Sequence, residues 1–175
     1  EAPVATADRF NWLNQSVSAV AKVLRDAPSF MDSTQVSGGF GVVTSVVEHD
    51  IEQAVMARHG VVVCAVRYGG HQRAGDDDAA GQTDYLVRLD IRMMGRLPLE
   101  HRPGDRVGLL TSLQRAASCI ETLMALEIGP GGGQFGGLAE LALADGANPE
   151  EQVTEDGYFA SIVSGIRVQI TLQDV

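Results

Sequence analysis

The sequence lacks most of the residue patterns on which site chemistry is built. It holds two cysteines in 175 residues, Cys64 and Cys119, and no CxxC pair. Neither a zinc site of familiar spacing nor a thioredoxin-like redox pair is therefore encoded. Both thiols lie in apolar stretches and read as buried and free, which fits a reducing compartment. The four histidines, His49, His59, His71 and His101, form no HxxxH or HExxH pattern. No GxSxG elbow presents a serine nucleophile. Lysine occurs once, at Lys22, and the remaining basic residues are arginine. Thirteen basic residues stand against 23 acidic, a net charge of -10. A nucleic-acid-binding surface needs a net basic patch to displace counterions from phosphate, so this balance argues against one. No apolar run approaches the roughly 20 residues of a membrane helix. Residues 1–8 carry neither the basic nor the apolar region of a secretory leader.

What is present is the composition of an ordinary globular chain, 45% hydrophobic and 21% charged. The length suits one domain over 1–175. The charge is uneven. Residues 1–57 carry a net -4, residues 58–119 a net +2 and residues 120–175 a net -8. Unlike patches of this kind suit head-to-tail packing of identical subunits, although a solvated acidic segment gives the same tally. The arginine excess suits protein interfaces, and a GC-rich codon usage produces the same ratio.

Periodicity supplies the elements. Phe10, Leu13, Val17, Val20 and Leu24 fall on one face of a helix over about 9–26, with Asp8 placed to cap it and Pro28 beyond its end. Residues 29–44 read as a glycine-containing loop with a short strand at Phe40–Thr44. Ser45 stands three residues before Glu48 in capping-box spacing, and Val47, Ile51 and Val55 continue at helical spacing. This predicts a short helix over 46–58, with Gly60 as its left-handed terminator. The run Val61–Val66 is apolar on both faces and reads as a central strand covered on both sides. Residues 69–82 are glycine-rich and polar around Asp76, Asp77 and Asp78, and read as a mobile loop. Tyr85, Val87, Leu89, Ile91 and Met93 alternate with Leu86, Arg88, Asp90 and Arg92, a strand with one apolar and one polar face. Val107, Leu110, Leu113, Ala117, Ile120 and Met124 mark a long helix over about 106–126. Residues 127–157 read as a second long loop around GPGGGQFGG, in which 138–144 is either helix or strand. A last strand over 158–172 turns Ile166, Val168, Ile170 and Leu172 one way and Arg167, Gln169 and Thr171 the other. The sum is an α+β domain: a mostly antiparallel sheet of three to five strands flanked by helices.

Each candidate site has a plain structural reading beside it. His71 with Asp76, Asp77 and Asp78 offers oxygen and nitrogen ligands, but the run lacks the DxDxDG spacing and later glutamate of a calcium loop. GPGGGQFGG lacks the lysine of a phosphate loop and the preceding strand of a dinucleotide fingerprint. No metal, cofactor or catalytic residue is therefore assigned. The polar strand face with Arg88, Asp90 and Arg92, together with Asp76, Asp77 and Asp78, is taken as a subunit or partner interface; an ordinary solvent-exposed sheet face is the competing reading.

The element order resembles that of bacteriophage tail terminator and tail completion proteins, a class of minor tail proteins. The likeness lies in the helix 50–58 leading into GVVVCAVRYGG, the polar loop, the alternating strand DYLVRLDIRMMGRL, the helix LLTSLQRAASCIETLMAL and the closing strand YFASIVSGIRVQITL. The resemblance implies a structural virion protein, not an enzyme. It implies a hexameric ring that caps the tail tube and joins it to the head-side connector, located at the head-proximal end of the tail and assembled in the host cytoplasm. Its partners would be further copies of itself, the tail tube protein and connector proteins, with DNA only as passing cargo and no membrane. The alternatives are a head completion or connector ring, and, in another class, a small enzyme or ligand-binding domain with a site lined by His71, Asp76 and Asp78.

Overall fold

The computed structural model describes residues 12–73, 82–133, 135, 141–144 and 149–173. The elements run α1 (Trp12–Arg25), β1 (Val43–Glu48), α2 (Glu52–Ala57), β2 (Val62–Arg73), β3 (Gln82–Leu97), α3 (Pro103–Ile128), β4 (Leu141–Ala144), β5 (Pro149–Thr154) and β6 (Gly157–Gln173). The sheet order is β1-β2-β3-β6, with β4 and β5 lying one after the other along the far edge of β6. Six strand segments thus make a sheet five strands wide. Every pairing is antiparallel except β1 with β2, which α2 connects as a parallel crossover. The α+β class, the mostly antiparallel sheet and the flanking helices agree with the sequence reading.

The sheet has two unlike faces. On one, Cys64 and Val66 of β2 align with Met93 and Ile91 of β3, and Met93, Leu89 and Val87 align in turn with Ile162, Ile166 and Val168 of β6. This face forms the main core beneath α1 and α3, which contribute Val17, Val20, Leu24, Leu113, Ile120 and Met124. Ser16, the one buried polar residue of α1, donates its hydroxyl proton to the Trp12 carbonyl at 2.7 Å, so its burial leaves nothing unsatisfied. On the other face, among the described residues, only α2 packs, with Ile51 and Val55 over Val63 and Ala65.

Several expectations need correction. The helix over 46–58 is a strand to Glu48 followed by a single short helix. β-Branched residues Val43, Thr44, Val46 and Val47 favour a strand, and parallel pairing with β2 satisfies their backbone, which outweighs the Ser45–Glu48 spacing. His49 takes the positive φ of 71° that turns the chain between them. Gly60 is left-handed at φ 73°, but it lies beyond the Arg58 cap and donates its N–H to the Arg96 carbonyl at 2.8 Å. Residues 29–44 hold the buried Phe30, Met31 and Val43, and Val43 exchanges backbone bonds with Phe30 and Asp32. The strand β2 continues to Arg73, inside the segment read as loop. Residues 149–154, also read as loop, form the hairpin partner of β6. Within 138–144, left open between helix and strand, Leu141–Ala144 is strand. The long helix has the expected place, but its stripe is rotated: Leu109 and Ala116 are buried where Leu110 and Ala117 were expected, and Val107 is exposed. Cys64 is buried as expected, whereas Cys119 is half-buried. The proposed Asp8 cap lies outside the described residues.

Candidate interaction surface

The open half of the sheet is built by strand alternation and register. Odd residues of β3 point into the core, so Arg88, Asp90 and Arg92 point to the opposite face, the side on which α2 packs. Register adds two further arginines. Arg67 of β2 stands opposite Asp90, and Arg167 of β6 stands opposite Arg88. Four guanidinium groups thus share this face with two carboxylates of β3, Asp84 and Asp90. Arg88 Nε donates to Asp90 Oδ1 at 3.2 Å, and the Asp90 side chain is 19% exposed against 54% for Arg88. Arg88 and Arg167 are like charges at directly opposed positions, an arrangement that costs stability in an antiparallel pair unless anionic groups sit nearby.

Local backbone makes room for this arrangement. The β2–β3 register shifts between Tyr68 and Gly70, a bulge centred on Gly69. A Cβ at Gly69 would come within 2.8 Å of the Asp90 carboxylate, so glycine there lets Asp90 lie flat against β2. Gly70 takes φ 126°, which other residues rarely adopt. The result is an open groove of about 300 Å³ lined by Gly69, Gly70, Gln72, Leu86, Arg88 and Arg167. A second groove, about 410 Å³, runs between α2 and the β5–β6 hairpin and includes Glu52, Arg92 and Asp156. Val163, exposed at 40%, stands opposite Arg92 and adds apolar surface to the open face.

Other charged and aromatic groups hold the frame. Arg96 spans from β3 to the end of α2: its guanidinium donates to the Met56 carbonyl at 2.9 Å and the Asp156 carbonyl at 3.4 Å. It thereby supplies donors to orphan carbonyls at a helix C-terminus and ties the β5–β6 turn to α2. Arg106 of α3 pairs with Glu151 of β5 at 2.6 Å, and the Tyr158 hydroxyl donates to the same carboxylate oxygen. The Tyr158 hydroxyl and the Arg106 guanidinium hold the Glu151 carboxyl below its usual range. Burial, followed by the bond to Glu151, raises the Tyr158 phenol. On the core side, Trp12 stacks on Tyr85 at 5.4 Å and meets the edge of His71 at 5.0 Å. The Tyr68 hydroxyl shares a hydrogen bond with His71 Nδ1. Burial pushes the Cys64 thiol well above its ordinary range and raises Cys119 as well, so neither is an activated nucleophile.

Of the residues singled out in the sequence, Arg88, Asp90 and Arg92 lie together on the open face. Asp76, Asp77 and Asp78 lie outside the described residues, so their relation to His71 is not described. Among the described residues, no group of three or more His, Cys, Asp or Glu side chains is placed to hold a metal ion. Arg67 was missed because the apolar run of β2 ends at Val66, and only the extension of that strand puts it on the sheet. Arg167 was legible as polar-facing, but its position opposite Arg88 depends on register. No protein-family model matches the chain, and no curated protein matches it.

Proposed function

We propose that this chain is a structural assembly subunit that binds further copies of itself, and that its place is the ring of a phage tail terminator. The observation that carries the reading is the half-covered sheet. One face is closed by α1 and α3, while the other, apart from α2, presents Arg67, Arg88, Arg92 and Arg167 to solvent. A sheet face that, among the described residues, α2 alone partly covers, with apolar Val163 among its charges, is chemically suited to a partner surface. The titratable clusters elsewhere are engaged in holding elements together: Arg96 caps α2, and Arg106, Glu151 and Tyr158 fasten β5 to α3. The long covering helix α3 and the closing strand β6 also keep the element order on which the resemblance rests.

The test is solution mass by light scattering, followed by negative-stain imaging of the same peak and pull-down on tail tubes and portal rings. A closed ring that captures tube ends supports the reading. Capture of portal rings instead moves the position to a head completion ring. A chain that stays monomeric at high micromolar concentration and binds neither tube nor portal overturns it.

A further inference from the structure

We propose that α2 is a latched strap: it swings off the sheet as a unit, with Arg96 as its latch, and uncovers an apolar patch on the face opposite the main core. The segment 49–61 joins the end of β1 to the start of β2. β1 and β2 pair with each other directly, so the segment can leave without breaking the sheet. Its two ends are pinned by backbone bonds. His49 donates its N–H to the Val66 carbonyl at 2.9 Å, and Gly60 donates to the Arg96 carbonyl at 2.8 Å. Both pinned residues are left-handed, at φ 71° and 73°, so the chain bends sharply on either side of the helix. The helix itself has six residues, well below the roughly 12–15 at which an isolated helix holds in water. It is helical because it packs, and its packing is slight. Val55 is its one buried residue, joined by Ile51 just before it. These two cover Val63 and Ala65, with Met94 and Phe159 at the margin.

A single side chain ties this segment down. The Arg96 guanidinium donates to the Met56 carbonyl at 2.9 Å and reaches the Asp156 carbonyl at 3.4 Å. The bond from Asp50 to the Glu52 N–H lies inside the strap and moves with it. Beyond Arg96, the groove of about 410 Å³ separates α2 from the β5–β6 hairpin. The latch is also finely balanced. Arg96 Nε is buried and, among the described residues, has no hydrogen-bond partner. Closing satisfies the Met56 carbonyl but strands this donor, and a buried donor left unmade offsets much of what a bond contributes. Opening returns both groups to water. Few buried apolar contacts and one side-chain tie are the marks of a unit that opens well below the free energy of global unfolding. Opening bares Val63, Ala65, Met94 and Phe159 on the same face as Val163, which is already 40% exposed. The strap thus controls how much apolar surface that face presents, whether or not the chain assembles.

Thiol labelling reads the motion, because β2 places a reference next to the probe. Cys64 and Ala65 are neighbours on opposite faces, Cys64 in the main core and Ala65 under α2. Two dilute proteins are compared by mass during reaction with N-ethylmaleimide, each checked for an unchanged circular dichroism spectrum. Cys119→Ser leaves Cys64 as the one thiol, and Cys119→Ser/Ala65→Cys adds the probe. The probe at 65 should react at least about a hundredfold faster than Cys64, since it reports strap opening and Cys64 reports global unfolding. Adding Arg96→Met removes the latch donors and should speed the probe by at least about tenfold while leaving Cys64 unchanged. Val55→Ala, which removes the buried anchor, should act in the same direction and replaces Arg96→Met should that variant disturb the fold. Hydrogen exchange of the unaltered chain needs no substitution, and the α2 amides should exchange faster than those of β2. Equal labelling rates at 64 and 65, or α2 amides protected as strongly as those of β2, overturn the inference, because the patch is then bared only by unfolding. So does a probe rate that neither variant raises. A probe that reacts as fast as a free cysteine overturns it from the other side, since α2 is then not held down at all.

Discussion

Leu89 and Arg88 are adjacent in sequence and belong to opposite faces of β3, so truncating each to alanine separates the core from the interaction surface. Leu89 is fully buried, flanked by Tyr68 on β2 and Ile166 on β6. Leu89→Ala removes buried methyl groups and leaves a cavity, a loss of about 3 kcal/mol within a range of roughly 2–5. For a chain of this size each kcal/mol is worth about 2–4 °C in Tm, so the melt should fall by about 6–12 °C. Arg88 has a half-exposed side chain in an ion pair with Asp90. Exposed pairs of this kind contribute about 0–1 kcal/mol, so Arg88→Ala should shift the monomer Tm by no more than about 4 °C. Self-association adds a second signature. An assembly stabilises the folded state by mass action, so the wild-type Tm should rise with protein concentration. Arg88→Ala should weaken that dependence, whereas Leu89→Ala should keep it and shift the whole curve down. Circular dichroism melts over about a hundredfold range of concentration read both quantities. If Arg88→Ala lowers the dilute-limit Tm as much as Leu89→Ala does, the face assigned as open is packed and the assignment fails. If both variants keep the full concentration dependence, Arg88 is not part of a self-contact.

Two further outcomes check the frame that supports this surface. Gly157 joins β5 to β6 at φ 133°, and a Cβ there would lie 2.4 Å from the Leu97 carbonyl oxygen. Gly157→Ala should therefore cost at least about 1–3 kcal/mol in a urea titration, and an unchanged midpoint would contradict the turn geometry. Glu151 has its carboxyl held low in the fold by Tyr158 and Arg106. Its contribution to stability is therefore present above the ordinary carboxylate range and is lost as pH falls through that range to the lowered folded value. The stability gap between wild type and Glu151→Gln should be largest near neutral pH and shrink on acidification, and a gap constant with pH would show that the carboxylate charge plays no part.

The parts of the fold that were legible are those where one physical signal acts alone. β3 alternates strictly because one face meets a core and the other does not, so its apolar set, Val87, Leu89, Ile91 and Met93, could be read directly and is buried throughout. β2 shows the opposite limit: Val62–Val66 is buried on both faces, and the sequence is correspondingly uniform. Misreadings occur where two signals compete. Val47, Ile51 and Val55 fit helical spacing, yet Val47 and its neighbour Val46 are β-branched and β2 offers them a parallel partner. A partner strand distant in sequence is invisible to a local window, and here it decides the outcome. The strand β5 fails for a related reason. Its sequence PEEQVT is exposed along nearly its whole length and carries no apolar alternation, so only pairing with β6 makes it a strand.

The interaction surface divides in the same way. Arg88, Asp90 and Arg92 were readable because they share one strand. Arg67 and Arg167 join them through the alignments Arg67–Asp90 and Arg88–Arg167, which are properties of three strands together. The three grouped charges on one strand form a pattern that an ordinary wet sheet face also shows. Register adds Arg167 directly opposite Arg88, and like charges so placed are tolerated where carboxylates stand near, as Asp90 stands to Arg88. Association rather than monomer stability therefore tells which of these charges serves a self-contact: if the face binds further copies, Arg167→Gln should weaken self-association on dilution in light scattering, and an unchanged dilution curve removes Arg167 from the contact.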